Sequence, residues 1–205
     1  MIFQLRGTSG SGKTTVARRI IHAFNVDKAV ELTGNGRKVL AYRGNVPDGS
    51  MPIYVLGDYS ANRSAGGCDT IPKITDLTDL VIKYGKKHNR RCIVFFEGLL
   101  AAHSWGELGE RVHPIFGASY INAFLDTSED ECLRRVLERR AGKGTDTSEE
   151  RLEKIERNVR ADYHRVELCY TRVIARGGMR IDVPSKTAPK FVENYLRQWA
   201  ANGTA

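Results

Sequence analysis

A glycine-rich segment near the start of the chain places the tightest constraint on how this sequence can fold. Residues 7–14 read Gly-Thr-Ser-Gly-Ser-Gly-Lys-Thr, with two glycines separated by four residues and followed by Lys-Thr. The apolar run at residues 2–5 predicts a strand before the segment, and apolar residues at helical spacing from Val16 to Phe24 predict a helix after it. A strand, a glycine-rich turn and a helix in this order form a phosphate-binding loop, because backbone N–H groups and the positive helix end face the phosphate.

The side chains of this loop predict which ligands it holds. Lys13 is expected to reach the β- and γ-phosphates of a nucleoside triphosphate, and the hydroxyl of Thr14 to ligate Mg²⁺. ATP and Mg²⁺ are therefore the expected cofactors. The predicted nucleotide-binding residues lie in the loop and the first helical turn: Gly7, Ser9, Gly10, Ser11, Gly12, Lys13, Thr14 and Thr15.

The composition fits one soluble domain. The 205 residues are 41% hydrophobic and 27% charged, and no apolar run approaches the roughly 20 residues that cross a bilayer. Four scattered cysteines without a Cys-x-x-Cys pair argue against zinc and favour a reducing compartment. We therefore expect a single domain over residues 1–205, no membrane partner and a cytoplasmic location.

The order of the predicted elements indicates an α/β fold. Strand and helix patterns alternate after the loop, which predicts a parallel sheet flanked by helices. Residues 29–57 interrupt the alternation. Two short strand-like runs in this stretch enclose the turn formers at 44–50, so we predict an inserted β-hairpin at about 37–57. Further strands are predicted at 92–96, 121–125 and 180–183, and further helices at 74–84, 129–141, 151–174 and 188–199.

Glu97 ends a continuous apolar run at residues 92–96 and is followed by Gly98. Ligands of open α/β sheets bind at the carboxyl ends of the strands. An acid at that position can hold Mg²⁺, directly or through water, so Glu97 and Thr14 are the predicted metal residues. A purely structural strand-end acid is the alternative.

Two aspartates are candidates for accepting a proton during phosphoryl transfer. Asp58 follows the strand-like run at 53–57, and Asp69 lies in the glycine-rich turn Gly66-Gly67-Cys68-Asp69-Thr70. A turn or cap role is the alternative for Asp58. For Asp69 the alternative is a cap of the helix that begins near Ile74.

An arginine-rich stretch at about 134–160 predicts a lid. Arginines on two helices flank a glycine-containing break at 142–147, an arrangement that suits closure over a nucleotide. Arg139 and Arg140 lie next to the break and are the arginines expected at the phosphates. The alternative is a solvated helix pair whose arginines bind neighbouring glutamates.

Taken together, these motifs resemble the small P-loop kinases of the nucleoside monophosphate kinase-like group. A narrower resemblance is to bacteriophage kinases that phosphorylate the hydroxymethyl group of 5-hydroxymethyluracil in DNA. It rests on the hairpin, Leu56-Gly57-Asp58-Tyr59, Gly66-Gly67-Cys68-Asp69-Thr70-Ile71, Glu97-Gly98-Leu99-Leu100 and Phe124-Leu125-Asp126-Thr127. The resemblance implies a P-loop kinase fold, a base at Asp69, which matches the family's Gly-Gly-x-Asp turn, and action in the cytoplasm of a bacterial host. Asp58 remains the second candidate base, and Lys13 and Glu97 are expected to be catalytic from their places in the loop and at the strand end.

Three functions remain open at this stage. The resemblance implies an ATP-dependent kinase acting on a hydroxymethylated pyrimidine in DNA, and the net charge of +8 suits that polyanion. A free (deoxy)nucleoside monophosphate kinase, similar to thymidylate kinase, is the alternative, and a nucleotide-binding switch or NTPase is the third.

Under the first function, the residues that would bind DNA phosphates are Arg37, Lys38 and Arg43. The rings of Tyr42, Tyr54 and Tyr59 could stack on bases or pack in the core.

Overall fold

The computed structural model describes residues 1–32, 38–47, 51–60, 66–142 and 148–202, and of 28–32 and 38–40 the backbone alone. Its strands are β1 (Ile2–Arg6), β2 (Asp27–Leu32), β3 (Lys38–Asn45), β4 (Pro52–Leu56), β5 (Ile93–Glu97), β6 (Tyr120–Asp126) and β7 (Met179–Pro184). Its helices are α1 (Lys13–Ala23), α2 (Ile74–Gly85), α3 (Leu99–His103), α4 (Gly109–Phe116), α5 (Glu129–Ala141), α6 (Glu149–Ala175) and α7 (Ala188–Ala201). None of these helices is both long enough and apolar enough to span a membrane.

The strands of the described residues form one sheet in the order β2-β3-β4-β5-β1-β6-β7. Five neighbouring strands, β4, β5, β1, β6 and β7, run parallel to one another. At one edge of the sheet β3 pairs antiparallel with β4, and β2 pairs antiparallel with β3. Every residue of β1 is buried, as a central strand of a sheet covered on both faces requires. The carboxyl ends of β1, β4, β5, β6 and β7 consequently meet at one edge, where the predicted site residues lie.

Two hydrophobic clusters cover the two faces of the sheet. On one face α1 and α7 pack through residues such as Ile20 and Leu196 against Phe3 and Phe95. On the other face α2, α4 and α6 cover Ile2, Val94 and Phe96. The predicted parallel sheet flanked by helices is thus confirmed.

The α5–α6 pair rises above the carboxyl edge of the sheet with a small core of its own, made of Cys132, Val136, Ile155 and Val159. Ser128 caps α5, because its hydroxyl accepts a hydrogen bond from the N–H of Glu131 at 3.4 Å. Acidic residues fill the first turn of α5 and Arg139 and Arg140 the last, which complements the helix dipole.

The predicted hairpin is larger than the sequence indicated. β3 and β4 pair antiparallel as predicted, but β2 adds a third strand, and β4 also pairs in parallel with β5. The hairpin is therefore an extension of the main sheet at its edge rather than a separate insertion. β2 escaped prediction because its sequence, Asp-Lys-Ala-Val-Glu-Leu, carries three charges in six residues.

Candidate active site

The phosphate-binding loop joins β1 to α1 in a conformation that needs its glycines. Gly10 has φ +84°, and a Cβ at this position would overlap the backbone carbonyl of Cys132 in α5. Lys13 points back into the loop, where its Nζ donates to the carbonyl oxygens of Gly7 at 2.7 Å and Thr8 at 2.9 Å. Burial lowers the pKa of Lys13, and the charge of Glu97 opposes that change. The loop thus holds a buried cation where a phosphate would bind.

Glu97 lies beside the loop at the end of β5. Its Oε1 accepts a hydrogen bond from the Thr14 hydroxyl at 3.2 Å, and the residue is only 2% exposed. Burial raises the pKa of Glu97 to about 7, with Lys13 opposing the rise and Asp69 adding to it. A hydroxyl and a carboxylate facing each other are oxygen donors of the kind that Mg²⁺ takes, so Thr14 and Glu97 fit the predicted ion.

The described residues contain no group of three or more His, Cys, Asp or Glu side chains placed to hold a metal ion. In phosphoryl-transfer sites Mg²⁺ is held by one or two protein oxygens, and substrate phosphates and waters supply the other ligands.

Asp69 faces the start of α3. Its Oδ2 accepts from the backbone N–H of Leu99 at 2.9 Å, and its Oδ1 from that of Leu100 at 3.2 Å. The turn that carries Asp69 packs directly on Glu97, because a Cβ at Gly67, which has φ +68°, would overlap the Glu97 carboxylate. Asp69 does cap a helix, but the helix is the adjacent α3 and not α2 as the alternative interpretation held.

Asp58 forms hydrogen bonds with the glycine-rich turn that carries Asp69. It is 2% exposed, and its Oδ1 accepts from the backbone N–H of Ser60 at 3.0 Å and from the Ser60 hydroxyl at 2.6 Å. Its backbone exchanges two hydrogen bonds with Gly67, at 3.2 and 2.8 Å. Asp58 is not among the described residues that line the cleft, so this geometry favours Asp69 over Asp58 as the group that meets a substrate.

Arg6 fixes α3 from within the sheet. It is fully buried, and its Nη1 donates to the carbonyl oxygens of Ala101 at 3.0 Å and Ala102 at 2.8 Å. Its other described acceptors are also neutral: Gln4, Tyr120, Asn122 and Cys169. The short helix that presents its first amides to Asp69 is therefore bonded at its other end to the central strand.

A cleft of about 770 Å³ joins these groups. The phosphate-binding loop forms its floor, Asp69 and Glu97 lie on one side, and Arg139 lies on the other. Arg140 is not among the described lining residues. Residues 143–147, which make up most of the predicted break in the lid, lie outside the described residues.

Several lining residues, among them Arg135, Lys186 and Leu100, were not predicted as site residues, although Arg135 lies within the predicted lid. Arg135 donates from Nη1 to the carbonyl of Gly10 at 3.3 Å and from Nε to Glu131 at 2.7 Å. Arg135 and Arg139 are one helical turn apart, a spacing that could have identified them as a pair on one face. Lys186, which follows β7, and Leu100, in α3, also line the cleft. Leu100 ends the segment Glu97-Gly98-Leu99-Leu100, but that segment assigned it no role, and an isolated lysine carries no sequence signal of this kind.

The residues proposed to contact DNA divide into three groups. Arg43 is exposed on β3, between β2 and β4, in keeping with the proposed role. Arg37 and the side chain of Lys38 lie outside the described parts of the chain. The aromatic rings of the tyrosines pack in the core, with Tyr42, Tyr54 and Tyr59 all buried, so they are not stacking faces in this conformation.

No protein-family model matches the chain. A 5-hmdU DNA kinase of Pseudomonas phage PaMx11 is 31% identical over 147 residues, which cover 71% of this chain and 72% of that protein. The chain belongs to the 5-hmdU DNA kinase family. A second 5-hmdU DNA kinase, of Pseudomonas phage M6, is 27% identical over 205 residues, which cover 94% of this chain and 95% of the relative.

Among solved structures, the kinase is similar to deoxyadenosine kinase of M. mycoides with bound dCTP. The TM-score is 0.42 and the identity 13%, with 97% of this chain and 100% of the other covered. The same enzyme with bound dATP gives a TM-score of 0.43 and an identity of 14%, with 96% and 99% covered.

Proposed function

We propose that the chain transfers the γ-phosphoryl group of ATP to the hydroxymethyl group of 5-hydroxymethyluracil in DNA. The observation that carries the proposal is the 31% identity to a phage 5-hmdU DNA kinase. The cleft supports it, because a phosphate-binding loop and an acidic turn face the same volume of about 770 Å³. Such a volume has room for a nucleotide phosphate chain and part of a second substrate.

On the donor side, the proposed roles follow from the loop. Its backbone amides bind the phosphates, and Lys13 leaves the Gly7 and Thr8 carbonyls to pair with the β- and γ-phosphates. Thr14 and Glu97 would hold Mg²⁺, which would supply positive charge to neutralise the phosphates. Since Glu97 has a pKa raised to about 7, it must lose its proton to serve as that ligand.

On the acceptor side, Asp69 is the proposed base. An ionised carboxylate has about four lone-pair sites, and the amides of Leu99 and Leu100 use two of them, so Asp69 can also accept a substrate hydroxyl. The hydroxymethyl oxygen forms its bond to the γ-phosphorus while its proton passes to Asp69. The bond from the γ-phosphorus to the bridging oxygen breaks, and ADP leaves with that electron pair.

The charge that spreads over the transferring group meets Arg139 and Arg135, both on the α5 side of the cleft. Arg135 is already placed over the loop by its bonds to Gly10 and Glu131. Arg139 is exposed and reaches the cleft from one turn further along the helix. We assign Arg139 the larger role at the γ-phosphate, and Arg140 an auxiliary role at most.

The test is the destination of the label from γ-labelled ATP. The acceptors are DNA containing 5-hydroxymethyluracil, the same DNA containing thymine, and the free 5-hydroxymethyl and thymidine nucleotides. We expect label in the modified DNA alone, and none with the Lys13→Ala protein as control. Label in free nucleotides would establish a nucleoside monophosphate kinase instead, and release of inorganic phosphate without transfer would establish an NTPase.

A further inference from the structure

Leu100 is unusual among the large apolar side chains of this protein. It is 54% exposed, more than Leu152, Leu168, Ile174 or Met179, the other large hydrophobic residues exposed in the described parts of the chain. Of these five, Leu100 alone lines the cleft of about 770 Å³. A single exposed leucine elsewhere on a surface needs no explanation, but one at the acceptor end of a charged cleft does.

The backbone that carries Leu100 is held at both ends. Its own N–H and that of Leu99 donate to the carboxylate of Asp69. The carbonyls of the next two residues, Ala101 and Ala102, accept from the buried guanidinium of Arg6. The exposed position of Leu100 is therefore set by a fixed segment and not by a loose end.

The surroundings of Leu100 suit a nucleic acid partner. The cleft is lined by Lys13, Arg135 and Arg139, which the proposed function assigns to the phosphates of ATP, and by Lys186, which is left to attract a phosphate of DNA. Leu100 cannot contribute to that attraction, yet it stands beside Asp69, the group proposed to meet the hydroxyl of the acceptor base. An apolar side chain in this position can enter the base stack when one base leaves it.

We propose that Leu100 is a wedge that occupies the space left in duplex DNA when the target base turns out of the helix toward Asp69. The proposal rests on the proposed function, because it requires the acceptor base to lie in DNA. It adds that the enzyme acts on base-paired DNA by extrusion of the base. Reaching the hydroxymethyl group within the major groove of an intact duplex is the competing geometry.

The experiment compares the kcat/KM for a duplex with that for the single strand of the same sequence, each containing one 5-hydroxymethyluracil. Leu100→Ala should lower the duplex-to-single-strand ratio roughly tenfold or more, which corresponds to about 1.4 kcal/mol. Leu100→Met should keep the ratio of the wild type, since a long apolar side chain remains. Leu168→Ala, which removes an exposed leucine outside the cleft lining, is the matched control and should not change the ratio.

Two further measurements separate a wedge from a general packing effect. A mismatch opposite the target base lowers the cost of extrusion, so it should restore the ratio of Leu100→Ala toward that of the wild type. With 2-aminopurine next to the target base and no ATP present, binding of the wild type should raise fluorescence more than binding of Leu100→Ala.

The outcomes distinguish the two proposals. If the wild type phosphorylates modified duplex DNA but Leu100→Ala shows an unchanged ratio and unchanged fluorescence, the wedge is wrong and the proposed function stands. A lowered ratio that no mismatch restores also overturns the wedge. If the wild type labels no modified DNA, single-stranded or duplex, the proposed function itself fails.

Discussion

The hydroxyl of Thr14 lies 3.2 Å from Oε1 of Glu97, although 83 residues separate them in the chain. This contact joins the first turn of α1 to the end of β5, next to the loop that holds Lys13. A hydroxyl and a buried carboxylate are brought together at the place where a nucleotide's phosphates would lie.

Replacing Glu97 with glutamine should lower turnover and weaken the response to Mg²⁺. The amide keeps the size of the side chain but loses the charge that a hard cation prefers. Because the pKa of Glu97 is about 7, the Mg²⁺ concentration for half-maximal activity of the wild type should fall as pH rises from about 6 to about 8. Steady-state kinetics across Mg²⁺ and pH test this, and a wild-type midpoint that does not move with pH would contradict it.

Glu97 should also make the free protein less stable as pH rises. Burial raises its pKa from 4.5 to about 7, so between these values the folded state keeps a proton that the unfolded state has lost. Stability is therefore lost as pH increases through this window, by about 3 kcal/mol in all. In urea unfolding without Mg²⁺, the free energy of unfolding of Glu97→Gln should rise relative to that of the wild type from about pH 5 to about pH 8. If the two proteins show parallel pH profiles of stability, Glu97 is not the source of the pH dependence.

Asp69→Asn should mainly slow phosphoryl transfer, whereas Asp58→Asn should mainly lower the stability of the fold. A positioned base contributes about 10²–10⁴-fold, so Asp69→Asn should cost roughly 3–5 kcal/mol in the chemical step while leaving ATP affinity nearly intact. Asp58→Asn perturbs the part-buried hydrogen bonds to Ser60 and should instead lower stability by about 1–3 kcal/mol, with a smaller loss of transfer. Single-turnover transfer and urea unfolding on both variants decide the matter, and a reversed pattern would place the base at Asp58.

Arg139→Ala should reduce transfer far more than Arg134→Ala. Both arginines lie on α5, but Arg139 lines the cleft, whereas Arg134 binds Glu131 and Glu138 on the outer surface. Such exposed ion pairs contribute little to stability, so Arg134→Ala is a matched control on the same helix. We expect kcat/KM for ATP to fall by roughly 10²-fold or more in Arg139→Ala alone. Equal losses in the two variants would argue against a lid arginine at position 139.

The sequence predicted those parts of the site whose residues lie together in one continuous segment of the chain. The loop at 7–14 and the acid after the apolar run ending at Phe96 each follow from a continuous pattern, and both lie at the cleft. The contacts between Asp69 and Leu99 and between Arg6 and Ala102 were not predictable, because they join distant segments whose sequences show no shared period. Helix α3 was missed for a different reason, because five residues are too few for a helical pattern.

The bond between Arg6 and α3 makes the two walls of the cleft unequal. One wall, with Asp69 and Leu100, is tied through α3 to the central strand of the sheet, so hydrogen exchange of the Ala102 amide should be as slow as that of the sheet itself. The other wall is α5, which shares a small core with α6 and reaches the phosphate-binding loop through the hydrogen bond from Arg135 to the carbonyl of Gly10. In the described parts of the chain, no buried side chain of the central sheet is shown to hold it. Substrate entry and product release should consequently proceed by movement of the donor side, with the acceptor side standing still as the reference against which the DNA is aligned.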